Sequence, residues 1–193
     1  MTRKSLPLMP ALGALLLLAG CMSASDVSVS YVDHPAEDKP ATVDPSQAAA
    51  MISAYRVGHG LPPVTLDPTL MRVAADHAQA MAASGTLDHV LPGEGSFEHR
   101  VESHGYDAGV AAEDIGAGYH NLNDAFSGWR ASPHHNENML RPGVTQIGIA
   151  VAYTPKSKFR DFWSLVLAAP ADKRAMRGPD GGPVGPASLL GGQ

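Results

Sequence analysis

The chain has 193 residues and one cysteine, Cys21, so no disulfide can form within it. Aromatic residues make up only 6% against 44% hydrophobic residues overall, so a core must rest on Ala, Leu, Val, Met and Ile. No basic patch is present. The formal charge is −5, and residues 1–20 carry Arg3 and Lys4 but no acid, so the remainder is more acidic still. This excludes the electrostatic footprint of a nucleic-acid binder. There is no CxxC, HExxH or EF-hand pattern and no G-x-S-x-G, which removes the commonest metal and serine-nucleophile signatures. Nor is there an internal repeat.

The N-terminus sets the compartment. "MTRKSLPLMPALGALLLLAGC" has a basic start and an apolar run too short to span a bilayer with ease. It ends in "LAGC", Leu18 to Cys21, which looks like a lipobox. Residues 1–20 are then a lipoprotein signal peptide, and Cys21 becomes a lipidated N-terminus that attaches the protein to a membrane. Met22 follows the cysteine where an aspartate would mark retention at an inner membrane, which points toward the outer one in a cell with two. Residues 21–43 are polar with scattered Pro and Asp and read as a flexible tether. Residues 44–169 form the folded domain. Residues 170–193 are Gly/Pro-rich without periodicity and read as disordered.

Within the domain, Asp44 and Pro45 predict a helix start, and Ala48, Met51, Ile52 and Tyr55 share one face. "LPPVTLDP" reads as a crossing loop. Asp67 and Pro68 repeat the start signal, and Leu70, Val73, Ala74, Ala78 and Met81 make a second stripe stopped by Gly85. Ser96 opens a short helix with Phe97 and Val101 inward. "AAEDIGAGY" reads as a loop or short strand. A fourth helix spans 121–131 with Leu122, Phe126 and Trp129. Ile147, Ile149, Val151 and Tyr153 alternate, and Phe162 to Ala168 returns as an apolar strand, giving a buried antiparallel hairpin. Early helices and late strands predict an α+β class with helices covering a sheet.

The chain has nine histidines, most with structural explanations. His34 falls in the tether, His59 in a helix stop, His77 on the second helix as a packing residue, and His104 at a helix end that favours a cation. His99 and His120 have no evident partner. His89, Glu113 and His135 differ, lying at element ends among small and polar residues, 24 and 22 positions apart. Two imidazoles and a carboxylate are the ligand types of an open zinc site. They are equally the makings of a hydrogen-bonded cluster that pins loops together. Ser132 near His135 reads as an N-cap before Pro133 rather than a nucleophile. Glu94, Glu98 and Glu102 read as a solvated face rather than paired carboxylates of a glycosidase.

In order along the chain come the two opening helices, "LDHV" at His89, "AEDIGAG" at Glu113, Trp129, "SPHHNENML", "IGIAVAY" and "FWSLVLA". From about residue 46 to 168 this order resembles the CAP superfamily of cysteine-rich secretory, antigen 5 and pathogenesis-related 1 proteins, in its bacterial SCP-like lipoprotein branch. The resemblance implies an α-β-α sandwich with helices on both sides of a small, mostly antiparallel sheet, and a cleft holding two histidines and one or two acids. His89 matches the first histidine, Glu113 the first acid, and His135 the histidine of "SPGH", with His134 in place of its glycine at the rim. Asn138 matches the asparagine before the apolar pair. Asp114 stands where the asparagine of "GEN" is usual, and a second glutamate is missing near Ser132. A divalent metal such as zinc would then have three protein ligands, His89, Glu113 and His135, supported by Asp114, Trp129 and Asn138.

Three functions fit. The first is a binding module for a small molecule, lipid, cell-wall fragment or peptide. The second is a hydrolase or protease whose water is activated by His89 and Glu113, directly or through zinc. The third is a structural envelope protein. The missing nucleophile and the tether favour a non-enzymatic role.

Overall fold

A computed structural model describes residues 39–172. The expected signal peptide, Cys21, most of the tether and nearly all of the Gly/Pro-rich tail lie outside the described residues. Five helices and four strands run in the order α1 (Pro45–Gly58), β1 (Thr65–Leu66), α2 (Pro68–Ser84), α3 (Phe97–Ser103), β2 (Ala108–Ala117), α4 (Leu122–Ala131), α5 (Pro133–Met139), β3 (Gln146–Tyr153) and β4 (Asp161–Pro170). Among the described residues no helix is long and apolar enough to cross a membrane.

The helix starts follow local chemistry. Asp44 accepts from the Ser46 amide, Asp67 from Thr69 and Leu70, Ser96 from His99, and Asn121 from Asp124. Ser132 is the exception. It ends α4 and starts α5 with extended backbone, but its side chain makes no capping hydrogen bond, contrary to the sequence expectation.

The sheet order is β1-β3-β4-β2. Strand β4 pairs antiparallel with both neighbours, while β1 pairs parallel with β3. Asp161 to Ala168 are buried without a break, because helices cover both faces. Trp163, Leu165 and Leu167 pack with Ile52 of α1, Trp129 of α4 and Met139 of α5. Val166 and Ala168 face Leu70, Val73 and Ala74 of α2 and Val101 of α3, and Phe162 faces Met81. The result is an α+β, α-β-α sandwich.

Two segments differ from the sequence reading. "AAEDIGAGY", expected as a loop or short strand, falls mostly within the ten-residue strand β2, "AGVAAEDIGA". Its small and acidic residues have weak strand preference; nine backbone partners on β4, from Ala108↔Pro170 to Ala117↔Phe162, specify it. The crossing loop contains β1, which closes the far edge of the sheet.

Two features fix the layers. A Cβ at Gly148 would stand 2.1 Å from the Leu70 carbonyl carbon, so only glycine lets α2 lie this close to β3. Arg56 is fully buried and donates to the carbonyls of Pro62, Met139, Arg141 and Val144. It welds α1 to the connection between α5 and β3.

Candidate functional site

Strand alternation places Glu113 and Asp114 on opposite faces of β2. Glu113 faces α2 and α3, and Asp114 faces α5. Each becomes the centre of a polar cluster.

Around Glu113 one arginine and two histidines converge. Nη2 of Arg100 lies 2.8 Å from both carboxylate oxygens. Nδ1 of His89 donates to Oε2 at 2.9 Å. Nε2 of His77 stands 3.7 Å from the same oxygen, too far for a hydrogen bond. Nδ1 of His77 donates instead to Glu94 at 3.0 Å. Nη1 of Arg100 donates to the His89 carbonyl at 2.8 Å, which holds the His89 loop onto α3. Glu113, Arg100 and His77 are buried, while the His89 side chain is 45% exposed. Burial pushes the Glu113 carboxyl up, but the His89 hydrogen bond, nearby His77 and the Arg100 guanidinium together hold it below the usual range. The Glu113 hydrogen bond raises His89 in turn, outweighing its partial burial.

On the opposite face, Nδ2 of Asn138 donates to Asp114 Oδ1 at 2.8 Å and lies 3.5 Å from the Glu113 carbonyl. Asn138 thus ties α5 chiefly to a carboxylate on β2. Arg141 donates to Asn138 Oδ1 at 3.0 Å. Asp114 is fully buried, its Oδ2 has no hydrogen-bond partner, and burial pushes its carboxyl up to about 7. Trp129 is a core residue whose indole donates to the Ile115 carbonyl at 3.1 Å, fixing α4 on β2.

His134 is exposed and His135 half-buried, with ring centroids 6.2 Å apart. His135 makes no hydrogen bond to the Glu113 cluster. Burial lowers its pKa first, and the charges of His134 and His89 lower it further.

Residues 49–167, more than half the chain, match the family model of the CAP, or cysteine-rich secretory protein, family. The chain belongs to the CAP family. Over 99 residues it is 31% identical to the uncharacterized protein YkwD of Bacillus subtilis, covering 51% of this chain and 38% of that protein. The chain therefore spans well under half the length of this relative. The CAP domain also superimposes on two solved structures. One is an extracellular protein containing a SCP domain from Bacillus anthracis, at TM-score 0.57 and 23% identity, over 64% of this chain and 39% of that one. The other is an outer surface protein of Borrelia burgdorferi, at TM-score 0.59 and 21% identity, over 67% and 98%. At these identities the structures speak for the fold alone.

The metal reading of this CAP domain does not fit. Among the described residues no group of three or more His, Cys, Asp or Glu side chains is placed to hold a metal ion. The reason is local. Arg100 reaches both oxygens of Glu113, and His89 spends Nδ1 on the same carboxylate. A divalent cation would have to displace a buried guanidinium.

Three cluster residues escape the sequence reading. His77 is fully buried rather than merely packed, and Glu94 is its partner rather than part of a solvated face. Arg100 is absent from the sequence-based candidates altogether. The signal that could have found them is position: His77 sits within the stripe of Val73, Ala74, Ala78 and Met81, and Arg100 lies three after Phe97. A polar residue on an apolar face needs a buried partner. Nδ1 of His104 donates to the Arg100 carbonyl at 2.7 Å at the end of α3, and its Nε2 lies 2.9 Å from Oδ2 of Asp76.

Proposed function

We propose that this CAP domain is the binding module of an exported envelope protein held to its membrane through lipidated Cys21. The observation that carries the binding reading is the closed state of Glu113. Arg100 and His89 occupy both of its oxygens, so it orients His89 rather than serving as an open base. With Nδ1 engaged on Glu113, half-exposed His89 keeps Nε2 for a ligand, and half-buried His135, near enough to feel the charge of His89, adds a second ring. These are donors for an anionic or carbonyl group. The ligand class that fits is a carboxylate-bearing small molecule, lipid or peptide fragment. The leader ending at Cys21 supports export, as do relatives described as an extracellular protein and an outer surface protein.

The test is a titration with muramyl dipeptide, octanoate and an acidic tripeptide, followed by the ring resonances of His89 and His135. At least one probe should shift both rings, and His135→Ala should abolish the response without lowering the thermal midpoint. If no probe moves either ring, the binding reading is wrong. Attachment is checked separately: Cys21→Ser should release the protein from membranes and block lipid labelling.

The hydrolytic reading keeps one observation, the His89 Nδ1 pair with Glu113, which leaves Nε2 to act on water. Turnover must then vanish in Glu113→Gln.

A further inference from the structure

The lysines are unevenly placed. Those among the described residues are Lys39, Lys156 and Lys158. All three sit at one end of the domain. The Ala41 amide, two residues after Lys39, donates to Asp161 at 2.9 Å at the start of β4. Lys156, Lys158 and Arg160 form the turn between β3 and β4, beside that same residue. Exposed Lys156 and Lys158 project from this turn, and Nζ of Lys158 lies 4.8 Å from the Phe159 ring centre.

The same end carries exposed apolar side chains. A Cβ at Gly85 would meet Ser157 at 3.8 Å, so the end of α2 touches the basic turn. The following loop packs inward through Leu91 onto Phe162 and Phe159. Leu87 and Val90 on that loop are 41% and 58% exposed. The loop's exposed acid, Asp88, is turned back onto the Val90 amide at 3.0 Å. Glu98 and Glu102 lie on α3, which packs against Val166 and Ala168, further along β4 from this end. A chain of net charge −5 therefore presents a basic, partly apolar end at the point where the segment from Cys21 enters the domain.

We propose that this end docks on an anionic bilayer. Leu87 and Val90 enter the headgroup layer, and Lys39, Lys156 and Lys158 lie over lipid phosphates. Each basic residue near such a surface adds about fivefold to the affinity. Lysine stems suit this position, since they cover apolar surface while the ammonium stays in water. His89 lies between Leu87 and Val90, so docking brings the His89–Glu113 pair close to the membrane. The proposal deepens the binding reading and rests on the attachment through Cys21 to bring the domain to a membrane.

The test uses the full acylated chain on vesicles of phosphatidylcholine alone and of phosphatidylcholine with phosphatidylglycerol at about three to one. Amide hydrogen exchange is read over residues 86–91 and 155–160. Slowed exchange of both segments is expected on the anionic vesicles only. It should be lost in Lys156→Gln/Lys158→Gln and at high salt. Arg130→Gln, an exposed cation on α4, should retain it, as should the fold of both variants by thermal midpoint. Flotation with neutral vesicles reports the anchor by itself. A chain that fails to float there but shows protection on anionic vesicles loses its anchor and keeps its docking surface. Flotation with equal exchange on both vesicle types overturns the docking. So does protection by cell-wall sacculi with none on anionic vesicles, which would make the partner a wall polymer.

Discussion

Arg100 holds Glu113 by one nitrogen, Nη2 standing 2.8 Å from each carboxylate oxygen in the buried space between α3 and β2. A buried ion pair is costly to break from one side, because the survivor is left charged without a partner. Arg100→Met should therefore destabilise the domain by about 3–5 kcal/mol. Replacing both residues, Arg100→Met with Glu113→Met, should recover part of that loss. Urea unfolding of the three variants checks it, and a double variant worse than the single one would refute the coupling.

His89 and His135 should shift in opposite directions from the ordinary histidine value. The Glu113 hydrogen bond raises His89, whereas burial and the charges of His134 and His89 lower His135. A histidine with a raised folded pKa binds its proton more tightly when folded. The stability it contributes is full below the unfolded value and is lost as pH rises through the folded one. Ring resonances followed by NMR should place His89 above the ordinary histidine range and His135 below it. Glu113→Gln should bring His89 down.

Asp114 has linkage of the same sign as His89, in a lower pH window. Its carboxyl is raised to about 7 by burial, so the folded state holds a proton that the unfolded state has already released. Between the ordinary aspartate value and 7 the folded chain binds more protons, and this residue makes stability fall as pH rises. Asp114→Asn keeps an acceptor for Asn138 and removes the buried charge. It should stabilise the domain above pH 7 by an amount on the order of a few kcal/mol, with little gain near pH 4. Denaturation midpoints across that pH range decide it.

Arg56→Lys is expected to be far from conservative. One ammonium cannot reach the four carbonyls that the guanidinium joins. Leaving two or more of them buried without a donor should cost at least ~3 kcal/mol by chemical denaturation. A near-neutral result would mean that α1 is held by its apolar face alone.

What was legible in the sequence was local. Asp44, Asp67, Ser96 and Asn121 cap the helices that their positions announce, because a cap involves residues two or three apart. The β3–β4 hairpin shows in alternation and a continuous apolar run. Strand β2 was not legible because its partner β4 defines it from about fifty residues away. The site divided in the same way. His89, Glu113 and His135 stand out as polar residues outside apolar stripes. His77 and Arg100 lie on inward faces, and only the fold shows that Glu113 and Glu94 await them. The metal reading failed for that reason: a carboxylate looks available until the arginine facing it is seen.

The order in which the strands arrive has a kinetic consequence. Helices α1 and α2 are made first, yet their apolar faces are covered by β3 and β4, the last two elements of the chain. Even the two residues of β1 wait some eighty positions for their partner on β3. Pairings so distant in sequence slow folding, since a long loop must close before any contact repays it. A nascent chain that stops short of β4 lacks the centre of its sheet, so the domain remains unfolded until its final strand has been made.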